Sequence, residues 1–93
     1  MSRIVVRLEI RGRVQGVGYR WWARGEARRL QLDGWVRNRR EGWVELVAAG
    51  PAAVVAGLIE ACRRGPPSAE VASIERFDAH DDGLAGFEER PTV

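Results

Sequence analysis

The sequence predicts an α+β fold: a ferredoxin-like split βαβ, in the order β-α-β-β-α-β, with an antiparallel sheet and two helices on one face. Three observations predict it. Ile4, Val6, Leu8 and Ile10 alternate with mostly polar neighbours, the period of a half-buried strand. Two later stretches carry apolar residues at helical spacing, Ala23, Ala27 and Leu30 in one and Val54, Val55, Leu58, Ile59 and Cys62 in the other. Between them lie two short strand-like runs separated by the turn sequence Arg40-Glu41-Gly42.

The elements follow in order. The first strand, its even positions inward, runs to Arg11 and gives way to a glycine-rich loop from Gly12 to Tyr19. A helix is expected over about Arg20 to Leu30, weakened by about 1 kcal/mol at Gly25 relative to alanine. Asp33 to Arg39 and Trp43 to Val47 read as the two strands of a hairpin. Gly50-Pro51 opens the second helix, since proline is tolerated near a helix start, and Gly65-Pro66-Pro67 stops it. A fourth strand is expected from about Ala69 to Asp78. Val71 and Ile74 lie three apart there, which breaks the period of two and predicts a bulge. His80-Asp81-Asp82-Gly83 reads as a turn, and Leu84 to Glu89 as a short last strand.

Ninety-three residues make one domain, 1–93. A single cysteine, Cys62, excludes an intramolecular disulfide. The start Met-Ser-Arg-Ile lacks the apolar stretch of a signal peptide, and the longest uncharged run, Leu46 to Ile59, is too short to span a bilayer. These features predict a cytoplasmic protein with no membrane partner. The net charge of +2 hides an asymmetry: residues 1–40 hold eleven arginines and three acids, or +8, and residues 41–93 hold four arginines and ten acids, or −6. A positive field around the glycine loop would draw in small anions, and could equally mark a nucleic-acid surface.

The loop carries the chemistry. Gly12-Arg13-Val14-Gln15-Gly16-Val17-Gly18-Tyr19-Arg20 places three glycines within seven positions between a strand and a helix. Glycines let the backbone turn its N–H groups inward, and a helix start adds the positive end of a dipole. The spacing is neither the dinucleotide fingerprint nor a P-loop, which needs Gly-Lys-Ser/Thr. Unaided, the run reads equally as an anion site or as a tight connection needing positive φ. Arg20, unaided, is one of fifteen arginines and reads as a solvated side chain. Asn38, unaided, is a turn-former beside a hairpin.

The run resembles the signature loop of the acylphosphatases. Gly34-Trp35-Val36-Arg37-Asn38 resembles the family's second motif, Glu41-Gly42-Trp43-Val44-Glu45 the hairpin after it, and Gly65-Pro66-Pro67-Ser68-Ala69-Glu70-Val71 the stretch after the second helix. The resemblance implies metal-independent hydrolysis of a small acyl phosphate, such as carbamoyl, acetyl or glyceroyl phosphate. It implies that the backbone N–H groups of Gln15, Gly16, Val17, Gly18, Tyr19 and Arg20 grip the phosphate, that the Arg20 guanidinium binds it too, and that Asn38 positions the attacking water. No metal and no cofactor is expected, and the default state is a monomer. Two departures stand out. Leu30-Gln31-Leu32 replaces the Leu-Gly-Leu of many members, so the first helix is expected to end differently. The tail from Gly86 to Pro91 is more charged than the family's apolar last strand, which predicts a weak edge. Both are expected to bear on stability more than on activity.

The remaining residues read as structural. Glu41 and Glu45 are expected as exposed hairpin residues with no catalytic role. Tyr19 and Trp22 are expected to pack around the loop and first helix, Trp21 to lie at the surface, Trp35 and Trp43 to pack on strands, and Cys62 to be a core thiol. A lone His80 makes no metal site. The alternatives are an RNA-binding sheet, against which stands the lack of paired exposed aromatics, and a non-catalytic anion sensor. Nucleic acid is therefore not an expected partner.

Overall fold

β1 (Ile4–Arg13) buries Val6, Leu8 and Ile10 completely, as the alternation predicts. The computed structural model describes residues 3–93. β2 (Asp33–Asn38), β3 (Val44–Gly50), β4 (Glu70–Asp78) and β5 (Phe87–Arg90) join β1 in one sheet of order β4-β1-β3-β2-β5. α1 (Tyr19–Arg29) and α2 (Ala52–Arg64) share one core with the sheet. Ala23 and Ala27 of α1 and Val55, Leu58 and Cys62 of α2 meet Val6, Leu8, Ile10, Val36 and Leu46 there. Fully burying a leucine or valine of this set contributes about 1.5–3 kcal/mol each. No described helix is long and apolar enough to cross a membrane.

The sheet is mixed, not wholly antiparallel as expected. β1–β3, β1–β4 and β2–β3 pair antiparallel, but β5 pairs parallel with β2, Gly34 opposite Phe87. The reason is the crossing. β4 and β5 lie at opposite edges, so the connection from residue 79 to 86 must traverse the end of the sheet. β5 then starts at the end where β4 stopped and runs alongside β2 in the same direction. Ala79 and Leu84 of that connection pack over Val5, Val47 and Ala49, a small second cluster on the face away from the helices. The last strand is accordingly four residues long and begins at Phe87 instead of Leu84.

The other boundaries shift for local reasons. The strand expected to end at Arg11 continues through Gly12 and Arg13, opposite Val71 and Glu70. Gly12 sits at φ 129°, and a Cβ there would lie 2.2 Å from the Glu70 carbonyl oxygen, so glycine permits the close approach. The bulge predicted between Val71 and Ile74 is present: the register slips between Arg11 and Gly12, leaving Ala72 unpaired. α1 starts at Tyr19, one residue early, and ends at Arg29. The expectation that Gln31 would change this end is corrected. Leu32 N–H donates to Ala27 C=O and Gln31 N–H to Arg28 C=O, the two bonds of a Schellman cap. Gln31 adopts the left-handed φ of 58° that glycine would supply without strain.

Candidate active site

The loop between β1 and α1 is built so that its donors stay unpaired. Gly16 and Gly18 lie in the left-handed region, at φ 72° and 77°. A Cβ at either would meet nothing within 4 Å, so these glycines serve conformation, not space. Gly18 caps α1 without any side-chain hydrogen bond, and the first turn of α1 carries no acid. Among the described residues, no acceptor faces the backbone N–H groups from Gln15 to Trp21. The start of α1, the positive end of its dipole, and all of these residues but Val17 line one cleft of about 200 Å³.

Most residues that the sequence singled out line that cleft. Gln15, Gly16, Gly18, Tyr19 and Arg20 come from the loop and the first turn of α1, and Asn38 comes from the end of β2. Val17 does not line it, and packs its side chain against the main core. Only its N–H is available to a ligand. The half-buried Arg20 guanidinium has no carboxylate or hydrogen-bond acceptor among the described residues. Arg3, Arg7, Arg37 and Arg39, by contrast, are all ion-paired. A guanidinium at the first turn of a helix works against the dipole. An anion in the cleft would offset that cost.

Asn38 pairs with Val44 on β3, and its carbonyl accepts from Val93 N–H at 3.3 Å on the other side. Its backbone is thus fixed from two directions. Its side-chain Oδ1 is buried and receives no hydrogen bond. A buried amide oxygen without a donor costs about 1–3 kcal/mol unless a ligand or water supplies one.

The side-chain role of Gln15 and the presence of Glu89 escaped the sequence reading. The Gln15 side chain does more than frame its own N–H: Nε2 donates to the carbonyls of Arg39 at 2.7 Å and Trp43 at 2.9 Å. It ties the loop to the hairpin that carries Asn38. No local signal could reveal this, because the partners lie 24 and 28 residues away. Glu89 lines the cleft from the edge of the sheet, 3.6 Å from Arg24. The charged tail, expected to bear on stability more than on activity, therefore also reaches the cleft. Phe87 is buried and Glu89, two residues on, shares its side of β5; alternation on that strand was the available signal.

Glu45 is a further correction. It is not an exposed hairpin residue: it is 4% exposed on the open face of the sheet. Arg7 Nε donates to it at 2.5 Å, Arg37 Nε at 2.6 Å and Arg39 Nη1 at 3.2 Å. Burial pushes its carboxyl up, but the hydrogen bonds from Arg7 and Arg37 outweigh this and hold it below the usual carboxylate range. Trp43, expected on a strand, lies just before β3 and is overlaid by Arg7, Arg11 and Arg39 at 5.7, 4.9 and 5.3 Å. Arg37 and Arg90 overlie Trp35 at 4.6 and 4.7 Å, and Arg7 overlies Phe77. The open face therefore carries single aromatics overlaid by guanidinium groups, with no aromatic pair on that face among the described residues. Tyr19 and Trp22 pack edge to face at 5.4 Å, and Tyr19 donates to the Cys62 carbonyl at 2.6 Å. The buried Cys62 thiol is pushed up to about 12 by desolvation, as an inert core thiol would be. Trp21 is 71% exposed.

Comparisons with known proteins agree on one family. Residues 6–89 match the family model described as acylphosphatase. An acylphosphatase of Rhizorhabdus wittichii is 50% identical over 92 residues, covering 99% of this chain and 93% of its own. The crystal structure of an acylphosphatase from Bacillus subtilis superposes with a TM-score of 0.90 at 35% identity, over 94% of this chain and 98% of that one. The structure of one from Coxiella burnetii superposes with a TM-score of 0.91, also at 35% identity, over 96% and 94%.

Proposed function

The chain belongs to the acylphosphatase family and is a hydrolase, an acylphosphatase, and on that premise we propose that Arg20 and the loop amides bind the phosphoryl group while Asn38 orients the attacking water. The observation that carries this reading is the half-buried, unpaired Arg20 beside a run of unpaired amides in one cleft with the unsatisfied Asn38 Oδ1. The N–H groups of Gln15, Gly16, Val17, Gly18, Tyr19 and Arg20 take the phosphate oxygens. The guanidinium adds two parallel hydrogen bonds and a fixed charge.

The leaving group is a carboxylate, so its departure needs little protonation. Water attacks phosphorus, the P–O bond to the acyl oxygen breaks, and a phosphate oxygen of the substrate takes the water's proton. Positioning and charge stabilisation then supply the rate acceleration. The proposed reaction uses no metal and no cofactor.

The same reading treats residues 1–93 as one domain acting as a cytoplasmic monomer on a small acyl phosphate, with neither membrane nor nucleic acid as partner. The small number of exposed large hydrophobics among the described residues, Trp21, Phe77 and Val93, supports the monomer. The test is phosphate release from benzoyl phosphate in EDTA, wild type beside Arg20→Gln. Metal-independent turnover that falls at least a hundredfold in the variant is expected. Turnover that needs added metal, or that survives the substitution, would overturn the assignment.

A further inference from the structure

We propose that Trp21 and Glu89 wall the acyl end of the cleft and select an uncharged acyl group with a flat or apolar body over one that carries a second anion. The inference rests on the phosphoryl site proposed above. With the phosphoryl group against Arg20 and the loop amides, its acyl substituent must extend along the remaining walls. Two of these, Val14 and Tyr19, are only 1% and 2% exposed and form the floor. The exposed walls are Trp21, one residue beyond Arg20 on α1, and Glu89, on β5.

Each is unusual for its place. Trp21 is 71% exposed, the most exposed large hydrophobic among the described residues. Isolated surface hydrophobics are ordinary. This one differs because it borders the cleft and also the adjoining groove of Arg24, Gly25 and Arg28. An indole face at the mouth of a polar cleft can cover a flat acyl group and remove apolar area of both from water.

Glu89 is the one acid lining the cleft. A carboxylate there opposes anion binding. For the phosphoryl group, Arg20 and the amides outweigh it. A second anion on the acyl group would lie on the far side of those donors, beside Glu89. Arg24, 3.6 Å away, offsets part of that repulsion but is shared with Glu89 itself. The wall thus discriminates by repelling the wrong substrate, not only by attracting the right one.

The test compares kcat/KM for benzoyl, acetyl and succinyl phosphate in wild type, Trp21→Ala, Trp21→Phe and Glu89→Gln. Trp21→Ala is expected to lower the benzoyl-to-acetyl ratio about tenfold, and Trp21→Phe to recover most of it. Glu89→Gln is expected to raise the succinyl-to-acetyl ratio at least threefold. Both side chains are exposed, so folding should survive. Ratios that stay constant while absolute rates change would overturn the acyl subsite and leave the phosphoryl site standing. Turnover of none of the three substrates, or turnover indifferent to Arg20→Gln, would overturn both.

Discussion

Asn38 has no side-chain hydrogen bond among the described residues, and its Oδ1 is buried without a donor. Removing the amide therefore breaks no internal bond, so Asn38→Ala should leave the urea midpoint within about 0.5 kcal/mol of wild type. It should cut kcat by about a hundredfold with phosphate affinity largely kept, because water alignment is lost and the anion donors remain. Full turnover in the variant would rule out the water-positioning role. Glu45 is the opposite case, a buried acid whose work is structural. Glu45→Gln leaves Arg7, Arg37 and Arg39 without their shared partner. Those arginines are between 23% and 30% exposed, so solvent screens part of the loss, and about 2 kcal/mol of destabilisation is expected. Since the native carboxyl titrates below its ordinary value, its contribution is fully present above that value and fades as pH falls through the lowered one. The wild-type advantage over Glu45→Gln should thus shrink in acid, as urea unfolding at pH 7 and pH 3 will show. Arg20 and Asn38 could be read from the sequence because they sit inside contiguous motifs. Glu45 could not, because its burial is made by side chains from β1 and from the end of β2 and beyond, which no periodicity along β3 announces.

Element ends are set by backbone geometry that one-letter patterns convey unevenly. Helix α1 ends in a Schellman cap whose left-handed position holds Gln31 at φ 58°. Two hydrogen bonds and the burial of Leu32, 2% exposed, impose the glycine-like shape on a residue that resists it. The sequence showed the wrong residue for the cap, but not that the fold would form the cap anyway. Relieving that strain with Gln31→Gly should stabilise the protein by about 1 kcal/mol, less the added freedom of the unfolded chain. Gly57 presents the reverse. It lies inside α2, exposed, with nothing within 4 Å of an added Cβ. Gly57→Ala should stabilise by about 0.5–1 kcal/mol. Each change should raise Tm by about 4–8 °C per kcal/mol gained for a domain of this size, readable by calorimetry. Equal destabilisation by both would mean that local backbone strain does not govern these helices. Strands β1 to β4 were legible because alternation and turn residues mark them. The parallel pairing of β5 was not, since it depends on where the connection from residue 79 to 86 crosses the sheet.

The charge asymmetry along the chain, +8 over residues 1–40 and −6 over residues 41–93, is interleaved by the topology. The order β4-β1-β3-β2-β5 places each strand of the basic part between strands of the acidic part. Arg3 bridges Asp33 and Asp81, Arg7 and Arg37 share Glu45, and Arg24 reaches Glu89. Much of the basic half that the sequence offered is, in the fold, paired with carboxylates, while Arg20 is left without one among the described residues. The pairs make stability depend on carboxylate ionisation. The Arg3 guanidinium holds the Asp81 carboxyl down to about 2, and hydrogen bonds from Arg11 and Arg7 hold that of Glu9 below its ordinary range. Carboxyls lowered in the native state contribute above their unfolded values and lose that contribution as pH falls. Stability should therefore decline from about pH 4.5 toward pH 2, where the fifteen arginines stay charged while the acids neutralise. Salt then separates two regimes. At pH 7, 0.5 M sodium chloride screens attractive pairs and should leave the urea midpoint unchanged or slightly lower. At pH 3 the same salt screens repulsion among unpartnered arginines and should raise it. A salt effect of the same sign at both pH values would show that these pairs do not control stability, and that the arginines are ordinary solvated charges.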